Sequence, residues 1–470
     1  TCFKPEMTLP ATDGILEKLQ ALLAYDASSP LIFSSGLFLF LFAGFMLIYN
    51  AFRRAPMARI VYVILFSLYF YYKSSGIYFL LLIFAATSDF LIAQGIYRVR
   101  SRAAKRWLVV LSVMVNLGML GYFKYTNFLV DIANQMFGQG FLQFQNIFLP
   151  VGISFFVFQS MSYTIDIYRG QLKPLGNWCD YLFYLSFFPQ LVAGPIVRAR
   201  DFIPQIRRNP VVVTREMFGT GVFLILTGLF KKAIISDYIS LNFVDRIFDE
   251  PLLYSGFECL AGIYGYALQI YCDFSGYSDM AIGIALLLGF RFPKNFDAPY
   301  KSATITEFWR RWHISLSSWL RDYLYISLGG NRKGKLRTYG NLLVTMVLGG
   351  LWHGAAIRFI LWGTLHGVAL ALHKLWMAVV PGAKATGAQM HWWSRAAGVF
   401  FTFNLVCLGW LMFRAESMQT VELMLHQIFS NFNVPMIPQV IAGYAGVFAL
   451  IGAGYLLHLM PGCVDRDRKS

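Results

Sequence analysis

Charge is what this sequence has least of. Only 14% of its 470 residues are Asp, Glu, Lys or Arg, against about 25% in an ordinary soluble domain. With 57% of residues hydrophobic, a soluble globule is excluded, because its surface would be one large apolar patch. Disorder is excluded too, since disordered chains are poor in aromatics and 17% of this chain is Phe, Trp or Tyr. Cysteine is sparse: Cys2, Cys179, Cys259, Cys272, Cys407 and Cys463 are scattered, with no CxxC pair. Neither a disulfide framework nor a zinc finger follows from that spacing, and each cysteine reads as a small buried hydrophobe. GxSxG and HExxH strings are also missing, which removes the nucleophile-elbow and zinc-protease readings.

What is abundant is unbroken hydrocarbon. Runs such as residues 31–52 are continuous and long enough to span a bilayer as helices. An outer-membrane barrel would instead show short alternating segments. The expected fold is therefore all-α and polytopic, with roughly ten to twelve transmembrane or re-entrant helices. Residues 60–72, 180–197 and 339–350 are short for a full crossing and read as re-entrant or tilted pieces. The chain begins at Thr1 and its first 28 residues are mixed and polar, unlike a signal peptide. They are expected to be an exterior segment of a longer product, with the first apolar run as an uncleaved anchor. Residues 29–460 read as a single membrane domain and 461–470 as a polar tail.

The surplus of basic residues, 40 against 24 acidic, fits cytoplasmic loops that face anionic lipid and needs no nucleic acid. Stretches 98–106, 198–215 and 291–337 are strongly basic and are expected to be cytoplasmic. Residues 131–146 lack Lys and Arg, and 237–256 are acidic, so both are expected outside.

Ionisable groups inside apolar runs are functional candidates. Asp89 and Lys124 read as structural, pairing with each other or capping broken helices. The string "YCDFSGYSD", with Asp273, Tyr277 and Asp279, is polar enough to predict a break near the middle of the 257–290 helix and a water-lined cavity. In residues 304–334, Trp309, Trp312, Leu316, Trp319, Leu320 and Tyr323 share one face of a predicted amphipathic helix, started by Thr304 or Thr306. His313 is the residue that an interfacial helix does not explain. His353 lies between two apolar segments among Gly349, Gly350 and Gly354, where hydrocarbon surroundings favour the neutral imidazole that a general base requires. His366 and His373 read as packing.

"WRRWHISLSSWLRDYLYISLGGNRKG" followed by "GGLWHGAAIRFILWGTLHG" resembles the membrane-bound O-acyltransferase (MBOAT) family. Within it, "LPVGISFFVFQSMSYTIDIYRG", "FFPQLVAGPIVRARDFIPQI" and "LQIYCDFSGYSDMAIGIALLLGFRFPKNFDAPY" resemble the bacterial alginate O-acetyltransferase membrane-subunit branch, over residues from about 60 to about 415. The resemblance implies a ring of helices around a tunnel in the bacterial cytoplasmic membrane, and transfer of an acyl group, on this branch acetyl, from a cytoplasmic thioester to a hydroxyl. It places the family's active-site histidine on His353 and a second polar active-site position on His313. Trp352, Arg310, Arg311, Asp273 and Tyr277 are then candidates for substrate binding, and Arg332 and Lys333 for the phosphates of the donor. That donor is either acetyl-coenzyme A or an acylated carrier protein, used as co-substrate, with no bound cofactor or metal implied. The implied partner is a periplasmic SGNH-type acyl-relay protein or a polysaccharide acceptor. D-alanyl transfer is the nearest alternative. A channel or transporter is disfavoured by the lack of internal repeats.

Overall fold

The computed structural model describes residues 12–380 and 391–460, and every regular element within them is helical. The first eleven residues and the 461–470 tail, with Cys2 and Cys463, lie outside the described residues. Among the described residues, four helical runs are long and apolar enough to cross a bilayer: Pro56–Arg98, Arg102–Phe137, Arg215–Asp249 and Trp392–Arg414. A bent pair, Val434–Gly443 and Ala445–Leu459, meets the same test together, with an angle of 92° at its break. The chain is a polytopic α-helical membrane protein. In hydrocarbon, helices are the structures that pair every backbone group internally without closing a barrel.

Contacts divide the chain into two compact units, one of residues up to Asn116 with Phe148–Val192 and Ile203–Val211, the other holding the rest. The first unit contains α1 (Gly36–Ala51), α2 (Pro56–Ser75), α3 (Phe79–Arg98), the first half of α4 (Arg102–Phe137), α5 (Ile153–Tyr168) and α6 (Trp178–Ser186). The segment expected to be short at 60–72 is a full 20-residue helix. Its hydropathy is diluted by Tyr69, Tyr71, Tyr72 and Lys73, yet Lys73 donates to the Leu22 carbonyl at 2.9 Å. Asp89 is held by Ser112 Oγ and Asn116 Nδ2, each at 2.6 Å, and by Ser160. Its partners are hydroxyls and an amide, a structural role of the kind expected for it.

The second unit contains α7 (Arg215–Leu229), α8 (Gly256–Leu287), α9 (Ile305–Arg311), α10 (Ile314–Trp319), α11 (Lys335–His353), α12 (Ile357–Val379), α13 (Trp392–Arg414), α14 (Met418–Ser430) and α15 (Ala445–Leu459). A Ser255–Glu258 capping box starts α8. Helices α7 and α8 approach closely enough that a Cβ on Gly228 would sit 2.5 Å from the Gly276 carbonyl oxygen, the use membranes make of small residues. The expected break in α8 is absent, and 32 residues run as one helix. Beyond α7 the chain widens into π turns at Phe230–Ser236, and these bring Lys231 to Asp279 and Lys232 to Asp273, both at 2.6 Å. The carboxylates are answered from a neighbouring helix, so the backbone ladder of α8 has no reason to open.

Candidate active site

Helix α11 ends at His353, and the carbonyls of a helix's last turn have no partner within the helix. Here α4 supplies them. Tyr125 Oη donates to the Leu351 carbonyl at 2.6 Å, and Lys124 Nζ donates to the Trp352 carbonyl. The chain then turns through Gly354, where any Cβ would lie 2.0 Å from the Phe359 ring, so no larger residue fits after the histidine. The His353 ring is walled by Trp352 at 4.9 Å, Trp362 at 5.2 Å and Phe413 at 5.2 Å between centroids.

His313 is placed by a different device. The amphipathic helix expected within 304–334 is broken here. Thr304 caps α9 as expected, but α9 stops at Arg311 and His313 has φ +42° before α10 begins. That left-handed backbone costs a non-glycine residue about 1–3 kcal/mol unless its surroundings enforce it. Asn295 enforces it. Its carbonyl accepts Ile314 N–H at 2.8 Å, replacing the helical bond to the preceding turn. Its side-chain Oδ1 accepts Ser315 N–H at 3.2 Å and Ser315 Oγ–H at 2.9 Å, and faces His313 Nδ1 at 3.2 Å. Asn295 Nδ2 donates to Ser278 Oγ at 3.1 Å, so the amide orientation is set by the network. An acceptor opposite Nδ1 places the proton there and the lone pair on Nε2, an assignment made from hydrogen bonding.

The His313 ring is buried, edge-on to Phe274 at 4.6 Å and 6.3 Å from the Trp352 ring. Trp352 is therefore a ring neighbour of both histidines. The polar string of α8 reaches this site through Phe274 and Ser278. Asp273 goes to Lys232, and Tyr277 is on the same helix.

Beside α9 and α10 lies a cavity of about 510 Å³, lined by Trp309, Arg310, Ser317, Arg321, Asn331 and Lys374 among others. Arg310 faces it. Arg311 is engaged elsewhere, with Glu307 at 2.9 Å and Asp297 at 3.8 Å, while Arg332 and Lys333 are exposed on the following turn. His366 is buried against Trp362 at 4.8 Å and Trp309 at 5.2 Å, and His373 pairs with Thr306 Oγ1 at 2.8 Å.

Two residues at this site escaped the sequence reading of it. Lys124 stood out only as a lone cation in an apolar run, and its partner lies 228 positions away. Asn295 carried no signal, because an asparagine after a helix reads as a turn residue.

Two imidazoles share an indole as ring neighbour, and a cation-lined cavity reaches the residue after His313 but neither histidine itself. The chain belongs to the MBOAT, membrane-bound O-acyltransferase, family, whose model matches residues 173–419 and so includes both histidines. It is a membrane-embedded O-acyltransferase. It is 43% identical over 407 residues to the "Probable alginate O-acetylase AlgI" of Pseudomonas aeruginosa, an alignment covering 85% of this chain and 75% of that one. It is 36% identical to the "Peptidoglycan O-acetyltransferase" of Helicobacter pylori, over 83% of this chain and 78% of the other. The "Teichoic acid D-alanyltransferase" of Bacillus subtilis is 29% identical over 58% of this chain and 70% of its own length.

Proposed function

We propose that this enzyme transfers an acetyl group from a thioester, presented at the cytoplasmic face of a bacterial inner membrane, to a hydroxyl at the opposite face. The observation that carries the reading is the pair His353 and His313 arranged about Trp352. The acceptor oxygen attacks the thioester carbonyl while His353 takes its proton. The C–S bond breaks as the tetrahedral intermediate collapses, and the same proton passes from His353 to the leaving thiolate. With its Nδ1 proton directed at Asn295, His313 presents Nε2 as a hydrogen-bond acceptor, suited to hold a second hydroxyl of the acceptor while His353 takes the proton of the reacting one. The indole Nε1 of Trp352 or of Trp362, both packed against the His353 ring, is the donor for the oxyanion. Arg310, Arg321 and Lys374 would receive the donor's phosphate at the adjacent cavity.

Acetyl is favoured because the relatives aligned over more than four-fifths of the chain carry O-acetylase or O-acetyltransferase names. The acceptor is then an envelope or secreted polysaccharide, reached directly or through a periplasmic SGNH-type relay protein. D-alanyl transfer from a carrier protein is the second reading, since that relative also aligns, over 58% of the chain. Proteoliposomes given radiolabelled acetyl-coenzyme A, acetylated carrier protein or D-alanylated carrier protein on one face decide between them. Label reaching a polysaccharide or relay protein inside from an acetyl thioester supports the proposal. Label moving only from the D-alanyl carrier overturns it.

A further inference from the structure

A second cavity, of about 750 Å³, opens between α13 and α15. Its floor is Tyr264 of α8 together with Tyr300, and its walls include Phe400, Phe403, Ile451 and Tyr455. These aromatics are fixed in place. Tyr455 Oη donates to the Tyr264 carbonyl, and Tyr264 Oη donates to Asn404 Oδ1, both at 2.7 Å. The Phe403 ring lies 5.3 Å from Tyr300 and 5.7 Å from Tyr455. Both cations of the cleft gather at one end. Arg395 and Trp392 sit in the first turn of α13, and Lys301 reaches the C-terminal end of α15 through the Met460 carbonyl. Glu307 is 3.9 Å from Arg395 but 2.9 Å from Arg311, so its closer partner is the arginine outside the cleft. Helix α13 is one of the runs apolar enough to cross a bilayer, and Phe400 is 62% exposed.

An apolar trough with paired cations at its mouth has the shape and charge of one ligand class. We propose that this cleft binds an anionic phospholipid, its phosphate between Lys301 and Arg395 and one acyl chain along Phe400, Phe403 and Tyr455. From Arg395 to Phe403 the helix rises roughly 12 Å, enough to sheathe the upper half of a chain. Basic side chains at a membrane surface favour anionic over zwitterionic headgroups, Trp392 sits where interfacial tryptophans anchor, and the trough walls recognise hydrocarbon by exclusion of water or disordered lipid. The site is separate from the cavity beside α10, as the two share no lining residue.

Native mass spectrometry of the detergent-purified enzyme tests this, with equimolar phosphatidylglycerol and phosphatidylcholine bearing identical palmitoyl-oleoyl chains. The wild type should retain phosphatidylglycerol over phosphatidylcholine by roughly thirty-fold, the effect expected of two surface cations. Lys301→Gln/Arg395→Gln should reduce that preference to near unity. Ala396→Trp, which fills the trough and keeps both charges, should remove the tightly retained lipid altogether. Arg100→Gln/Arg102→Gln deletes two exposed cations of the other unit and should keep the wild-type preference. Should the double variant lose its monodisperse elution, the single substitutions are read in the same way. A wild type without preference, a preference that survives both cleft variants, or a dimer in place of bound lipid would each overturn the assignment.

Discussion

Replacing Asn295 with Ala removes the side chain that holds His313 in its left-handed turn. The Oδ1 atom receives two donors from Ser315 and faces His313 Nδ1, and Nδ2 serves Ser278. A buried donor left unsatisfied costs about 1–3 kcal/mol, and the left-handed backbone at His313 stores about 1–3 kcal/mol that Asn295 helps to enforce. These terms share one network and do not add. Relaxing toward negative φ returns part of the strain stored at His313, so a net loss of about 1–2 kcal/mol in stability is expected. Once the imidazole leaves its place beside Phe274 and Trp352, turnover should fall by about 10–100-fold, or about 1.4–2.7 kcal/mol, while KM for the thioester changes little. Asn295→Asp keeps the acceptor contacts, loses only the bond to Ser278, and should recover part of kcat. The assay is steady-state acyl transfer in detergent, with thermal unfolding followed in parallel. If Asn295→Ala turns over at the wild-type rate, the orientation of His313 has no catalytic consequence and the positioning argument fails.

Lys124→Met and Tyr125→Phe remove the two donors that finish α11; each should lower kcat several-fold, Lys124→Met more, and together less than the product because both act on one helix end. Steady-state rates of the two single variants and the pair check this. Gly228→Val drives a branched side chain into the Gly276 carbonyl and should abolish monodisperse protein, whereas Gly219→Ala, whose Cβ meets nothing within 4 Å, should purify normally. Size-exclusion profiles distinguish the two outcomes.

Much of the architecture was legible because hydrocarbon runs of helical length have few other uses, and because His353 stands out among glycines between two such runs. The errors share a physical origin. The spacing Trp309, Trp312, Leu316, Trp319 continues through His313 unchanged, so periodicity cannot register that Ile314 N–H has left the helix for the Asn295 carbonyl. The polar string of α8 looked like a broken helix because a single segment does not reveal that Lys231 and Lys232 answer its carboxylates. Lys124 does cap a helix end, one of the two roles read for it, but which helix was not legible, because a backbone carbonyl as partner leaves no mark in sequence. Long-range pairing of this kind is decided by tertiary packing, which local pattern does not encode.

The most direct measurement is acyl transfer by purified His353→Ala, with insertion, monodispersity and thermal stability matched to wild type and His373→Ala as the packing control. The loss of a general base costs about 10²–10⁴-fold in rate, so His353→Ala should show no transfer above that residue while His373→Ala keeps most of its activity. Near wild-type turnover in a well-folded His353→Ala would contradict the assignment of the base and move the search for the reacting centre to Asp273 and its neighbours on α8.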